Sequence, residues 1–271
     1  AAFSADNTVA NINLKGASNT FSGAASFSND GTLTIGDASS DSFAFNGGLT
    51  ENTSGTVTLN ASSITSSNDA FVFGAVTLGS NVTIDTNATN TTGDITIGAV
   101  TGGSNTLTLS TGNNIANSDI TASGAISGVT TLTLIDVGGT ASFSADVDVT
   151  TLTISNTVAN VSLTGSGSSV TNAVTFGNDG TLTIGDASND SFTFGGGLTV
   201  STASSTLAGS IDSSNDDITF GAITIAALTT IDTNATDTTG DIIIGAVTGA
   251  NTTLNLDTTA STGSADITFN G

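Results

Sequence analysis

Aspartate is the residue type in this sequence whose chemistry and spacing first suggest a function. Carboxylates bind hard cations through oxygen, and pairs of them can share proton-transfer work. The chain carries 23 acidic residues, among them Glu51, against a single basic one, Lys15. Its Asp residues fall into two periodic series. One opens an apolar–x–apolar triplet: Asp41, Asp69, Asp94, Asp119, Asp190, Asp216, Asp241 and Asp266. The other follows such a triplet: Asp37, Asp85, Asp136, Asp186, Asp232 and Asp257. If members of a series stack at the ~5 Å spacing of neighbouring strands, their like charges repel. Calcium would relieve that repulsion, and the candidate ligands are Asp69, Asp94, Asp119, Asp216, Asp241, Asp266, Asp85, Asp232 and Asp257. The competing reading is that each Asp caps a turn through nearby backbone and stays solvated. It is the favoured one, because the short calcium-binding nonapeptide repeat is not present.

Other chemistry is poorly supplied. The sequence has no His, Cys or Tyr, so acid–base and nucleophilic catalysis lack their usual side chains. A carboxylate-pair hydrolase is formally open, but these Asp belong to repeating series rather than to one cleft. The chain is therefore expected not to be an enzyme. One Lys cannot neutralise a phosphate backbone or an anionic membrane surface. No apolar run approaches the ~20 residues of a membrane helix. The expected partners are cations, surface glycans and copies of the chain itself, with no nucleic acid and no membrane insertion.

What positions these residues is a nested repeat. Residues 29–39 return at 178–188, an offset of 149, and residues 84–89 return at 231–236, an offset of 147. Within this long repeat, apolar–Thr–apolar triplets end at Ile35, Leu59, Ile84, Leu109 and Leu134, at intervals of 24, 25, 25 and 25. The unit is about 25 residues and the long repeat about six units, so the 271 residues hold about eleven. Alternation of apolar and polar residues over four to six positions marks half-buried strands. Such strands cannot bury their apolar side alone, so neighbouring units must stack. The prediction is an all-β fold, a right-handed parallel β-helix (β-solenoid) continuous over 1–271. The super-repeat copies divide it at about 1–124 (partial) and 125–271. Handedness follows the general preference for right-handed parallel crossovers. Gly74, Gly98, Gly124, Gly221 and Gly245 are expected to turn the corners through backbone angles open to glycine. The absence of Pro suits coils that hydrogen-bond to both neighbours. Thr34, Thr83, Thr108, Thr133 and Thr183 are expected to face outward in rows. A flat hydroxyl face could contact ice or carbohydrate, although Thr also simply suits an exposed strand.

The stretches 93–102 and 105–110, Gly-Asp-Ile-Thr-Ile-Gly-Ala-Val-Thr-Gly and Asn-Thr-Leu-Thr-Leu-Ser, resemble repeats of the filamentous-haemagglutinin-like adhesins and related giant bacterial surface proteins. The resemblance extends over the whole chain as one of repeat style. It implies secretion, a parallel β-helix shaft, and a role in adhesion, biofilm matrix or surface layers. Ala1 begins within the repeat pattern, and Gly271 corresponds to Gly124, where the other copy runs on into Ala125. The expectation is an extracellular structural protein that stacks end to end or forms a slice of a longer chain. The alternatives are an adhesin stalk and an ice- or carbohydrate-binding face.

Overall fold

The computed structural model describes residues 1–89, 93–113, 118–235, 239–249, 251–258 and 265–271. Those residues form short β-strands and turns, with no helix. Every strand pairing is parallel and joins one coil to the next, as Phe71 with Ile95 and Ile95 with Ile120. The chain is a β-solenoid of about eleven turns, as the sequence predicts.

Each coil has three strands, so the rod has three faces. Face A begins with Phe3–Ala5, Ala25–Phe27, Leu49–Glu51, Phe71–Phe73, Ile95–Ile97 and Ile120–Ala122. Face B begins with Ile12–Leu14, Leu33–Ile35, Val57–Leu59 and Val76–Leu78. Face C begins with Ser18–Phe21, Ser42–Phe45, Ser63–Thr65 and Val82–Asp85. Four strands run around a corner and serve two faces: Ile126–Val137, Val147–Ile154, Ser204–Ser213 and Ile223–Asp232. In the second half, face C continues as a separate five-stranded ladder, from Val174–Phe176 to Ile267–Phe269.

Period-2 alternation does the packing. In triplets such as Leu33-Thr34-Ile35 the outer residues point into the rod and the middle one points out, because successive Cβ atoms lie on opposite sides of a strand. The inward residues are almost wholly buried: Phe27, Leu33, Ile64, Phe71 and Ile95 all have no exposed surface. Aromatic rings fill the first coils, where Phe45 stacks on Phe21 at 4.8 Å and meets Phe27 edge-on at 6.3 Å. Aromatic pairs at such separations add to the stability that comes from burial alone.

The mean turn is about 23 residues rather than 25, and its length varies. Face A advances by 22 residues from Leu49 to Phe71, by 25 from Ile95 to Ile120 and by 20 from Ala141 to Val161. The even 25-residue series in the sequence therefore crosses between faces. Ile35 stacks on Leu59 on face B, and Ile84 stacks on Leu109 and Leu109 on Leu134 on face C. Leu59 and Ile84 do not stack; their partners are Leu78 and Ile64 respectively. The super-repeat behaves likewise. Leu33–Ile35 lies on face B and its copy, within Thr181–Ile184, on face A. Ile95–Ile97 lies on face A and its copy Ile242–Ile244 on face C. One super-repeat thus spans twenty strand segments, six and two-thirds turns. All three faces ask for the same inward–outward–inward pattern, so a triplet fits any of them.

Glycine acts differently from expectation at the corners. Gly98 and Gly124 do not adopt positive φ. They are glycines because coils approach closely there: a Cβ on Gly98 would lie 2.8 Å from the Gly74 backbone, and one on Gly124 2.4 Å from Ala99 N. The left-handed backbone is used at Gly36, φ 91°, and at its copy Gly185, φ 75°.

Candidate functional site

The surfaces able to meet a ligand are the outward columns. On face A one column runs the whole length of the rod: Ser4, Ser26, Thr50, Val72, Thr96, Thr121, Ser142, Ser162, Thr183, Thr206, Thr224 and Thr248. Every member but Val72 carries a hydroxyl, and none is charged. At its end Thr224 and Thr248 hydrogen-bond through their hydroxyls at 2.9 Å. The five Thr singled out in the sequence divide among the faces. Thr183 belongs to this column, Thr34 to face B, and Thr83, Thr108 and Thr133 to one column on face C.

Face B changes character along the rod. Its outward column starts neutral with Asn13, Thr34, Thr58, Thr77 and Thr101. It becomes acidic at Asp148 and ends with Asp212, Asp232 and Asp257 on three successive coils. Burial raises the pKa of Asp212; the Ser210 hydroxyl opposes this and the Asp232 charge adds to it. Asp148 borders an open hollow of about 420 Å³ that also involves Ser104, Thr130, Thr150, Ser169 and Thr171. Burial pushes its pKa up, and Asp146 pushes it further against a Ser169 backbone hydrogen bond.

The series of Asp that open triplets does not form one ladder. Asp94 and Asp119 stack at the edge leading into face A. Asp241 and Asp266 stack at the edge leading into face C. Their columns take in Ala70 and Asp217 rather than Asp69 and Asp216, which lie one residue earlier. Asp41 and Asp190 open strands on faces C and B. Along the columns each carboxylate accepts a backbone N–H from the next coil. Asp94 Oδ1 accepts from Asp119 N at 2.9 Å, Asp119 Oδ1 from Thr140 N at 2.7 Å, and Asp241 Oδ1 from Asp266 N at 2.8 Å. Asp217 Oδ1 accepts from Asp241 N at 2.9 Å. Such bonds bring each charge against an amide dipole and hold one coil to the next.

The other series also divides. Asp232 stacks on Asp257, whereas Asp85 aligns with Thr65 and Ser110. Asp85 and Asp232 each accept the N–H two residues on, from Asn87 and Asn234, at 2.8 Å. Among the described residues no three His, Cys, Asp or Glu side chains converge as a metal site.

Two buried polar features escape the repeat pattern. Glu51 points inward on face A at 2% exposure, aligned with Phe27. It accepts N–H bonds from Thr53 and, at 3.0 Å, from Gly74. Ser66, Thr86 and Thr111 also point inward, and each donates its hydroxyl to a carbonyl of the next coil, Thr86 O, Thr111 O and Asp136 O. No protein-family model, curated protein or solved structure matches this chain.

Proposed function

We propose that this chain is a non-catalytic structural rod of the cell exterior, an element of a fibre, sheath, biofilm matrix or surface layer. One observation carries the reading. One apolar core runs from Ala5 to Ile244, and parallel strand pairs join each coil within it to the next. The inward side chains and strand edges of each coil are complementary to a further coil. That coil can belong to a second copy or to the same polypeptide. The resemblance in repeat style to filamentous-haemagglutinin-like surface proteins supports the extracellular assignment. The missing His, Cys and Tyr support a role without catalysis. Electron microscopy of the purified chain tests it: uniform filaments one rod wide are expected. Single rods of ~50 Å, the length of about eleven strand spacings, at every concentration would refute self-stacking and favour a spacer such as an adhesin stalk.

The uncharged hydroxyl column of face A favours a second reading, contact with a neutral glycan or with ice. Glycan-array binding or inhibition of ice growth, lost when Thr96 and Thr121 are changed to Lys, would support it.

A further inference from the structure

We propose that the hollow at the corner between faces B and C binds a primary alkylammonium group, the chemistry shared by a free polyamine and a lysine side chain. The site belongs to inner coils and does not depend on how the rod is prolonged.

Three strands build it. Ile126–Val137 and Val147–Ile154 run around this corner, and Gly167–Val170 lies beside the second. Val129 and Val149 are aligned and point inward, so the outward positions on either side of them become the walls. Asp148 and Ser169 are partners on one wall. Thr130, Thr150 and Thr171 follow one another, coil by coil, on the other. The bulge between Ser127 and Val129 sets Gly128 at φ 64°, where a Cβ would find nothing nearer than 3.5 Å. The absent side chain leaves a hollow of about 420 Å³. A water's share of liquid is ~30 Å³, so a bare ion would leave most of that space to solvent. The volume suits a small organic ligand.

The walls ask for hydrogen-bond donors. Asp148 can only accept. Thr130 has committed its hydroxyl proton to Ser104 O at 2.8 Å, so its oxygen too can only accept from the hollow. Ser104 makes that bond at φ 68°, and among the described residues it is the only one at positive φ that is not Gly, Asn or Asp. Such a backbone costs energy unless its surroundings hold it. The hydroxyls of Thr150, Ser169 and Thr171 bond to no other described residue. No lining side chain carries an N–H. Charge points the same way. Burial and the Asp146 charge both raise the pKa of Asp148, against a Ser169 backbone N–H. A bound cation relieves both effects. An ammonium has three donors and no acceptor, which matches a carboxylate ringed by hydroxyl oxygens. Its alkyl stem has the methyl groups of Thr130 and Thr171 beside it. Calcium asks for about six to eight oxygen ligands with several carboxylates, and this hollow is lined by one.

The test is a titration of the 271-residue chain with n-butylammonium, followed by amide NMR shifts. Salt of ~0.15 M suppresses the general attraction of an acidic rod for cations. Shifts should centre on Asp148, Thr150 and Ser169. Asp148→Asn should weaken binding by about tenfold or more, since it removes a charge-assisted hydrogen bond. Asp186→Asn lowers the net charge equally at an exposed position outside the hollow, and should change binding by less than about twofold. Both side chains are exposed, and circular dichroism checks that each variant folds. Tetramethylammonium, a cation without N–H, should bind several-fold more weakly than butylammonium. Spermidine and an end-blocked peptide with one lysine then separate the two sources: whichever binds tighter at these amides names the free amine or a protein partner. Equal weakening by the two variants, or shifts spread over every Asp, would overturn the site in favour of general counterion attraction. So would equal affinity for tetramethylammonium. No response at these amides, or a response to neutral glucose that Asp148→Asn leaves intact, would overturn it as well.

Discussion

Replacing Glu51 by valine should make the protein more stable. The super-repeat supplies the reason, because the equivalent position in the second copy is Val200. Glu51 is aligned with Phe27, and the next coil of face A places Phe73 against it. Val200 is flanked in the same way by Phe176 and Phe220. The surroundings are thus already shaped for an apolar residue. A buried carboxylate loses several kcal/mol of hydration. It recovers about 1.5–3 kcal/mol from each charge-assisted hydrogen bond, here to Thr53 N and Gly74 N. Gly74 is exposed and Thr53 half-exposed, so both N–H groups can return to water when the carboxylate goes. Valine adds its own burial, about 1.5 kcal/mol, less about 1 kcal/mol for the smaller volume. Both donors lie near solvent, so the two bonds count at the low end of that range, about 3 kcal/mol together; against a desolvation of about 4 kcal/mol the net is a gain of about 1–2 kcal/mol, or a melting midpoint higher by about 2–6 °C for a chain of this size. Thermal and urea melts followed by circular dichroism measure it. Glu51→Gln should fall between the two, since it keeps one acceptor and loses the charge. The reciprocal Val200→Glu should cost about 3 kcal/mol or more, unless a buried carboxylate finds amides to bind. A lower midpoint for Glu51→Val would refute the reasoning and show that the two amide bonds outweigh desolvation.

Phe45→Ala removes a ring packed against Phe21, Phe27, Phe43 and Phe71, and should cost about 3–5 kcal/mol in urea unfolding. Gly36→Ala should cost about 2 kcal/mol or more, because its Cβ would lie 2.1 Å from Asn60 O at a φ of 91°. Asp212→Asn tests linkage. With a folded pKa above the ordinary 3.8, the Asp212 carboxyl costs stability increasingly as pH rises through the folded value, and costs nothing below 3.8. The variant should therefore melt higher than wild type at neutral pH, with the advantage gone below pH 3.8. Millimolar calcium against chelator should leave the midpoint unchanged, since the stacked Asp94, Asp119 and Asp241 already accept backbone N–H groups. A calcium-dependent rise that Asp232→Asn abolishes would instead locate a cation on the Asp212–Asp232–Asp257 column.

The repeat style was legible because it follows from one-dimensional chemistry. Apolar–Thr–apolar triplets announce half-buried strands, and strands that cannot bury themselves must stack. The ladders built from that spacing were less legible. Asp212 follows Ile211 as Asp232 follows Ile231 and Asp257 follows Leu256, but at intervals of 20 and 25 residues, so an even period passes over it. Asp217 was missed in favour of Asp216, because only the strand pairing Ile218 with Ile242 tells which of two adjacent Asp meets Asp241. Composition counts Glu51 as an acid and gives it no direction; its place two residues after the buried Leu49 turns it inward.

By itself, then, the sequence determined that the chain is a stack of short parallel strands, about eleven turns long, with Thr and Asp outside and Val, Ile, Leu and Phe inside. Alternation with period two is enough for that, because it names the side of the strand on which each residue lies. Only the tertiary structure decided which of three faces each strand occupies, and so which residues stand above which. The faces are chemically alike, so nothing in a triplet chooses among them. The lengths of the corners choose, coil by coil. Because these vary, the super-repeat closes after six and two-thirds turns and returns each sequence to a different face.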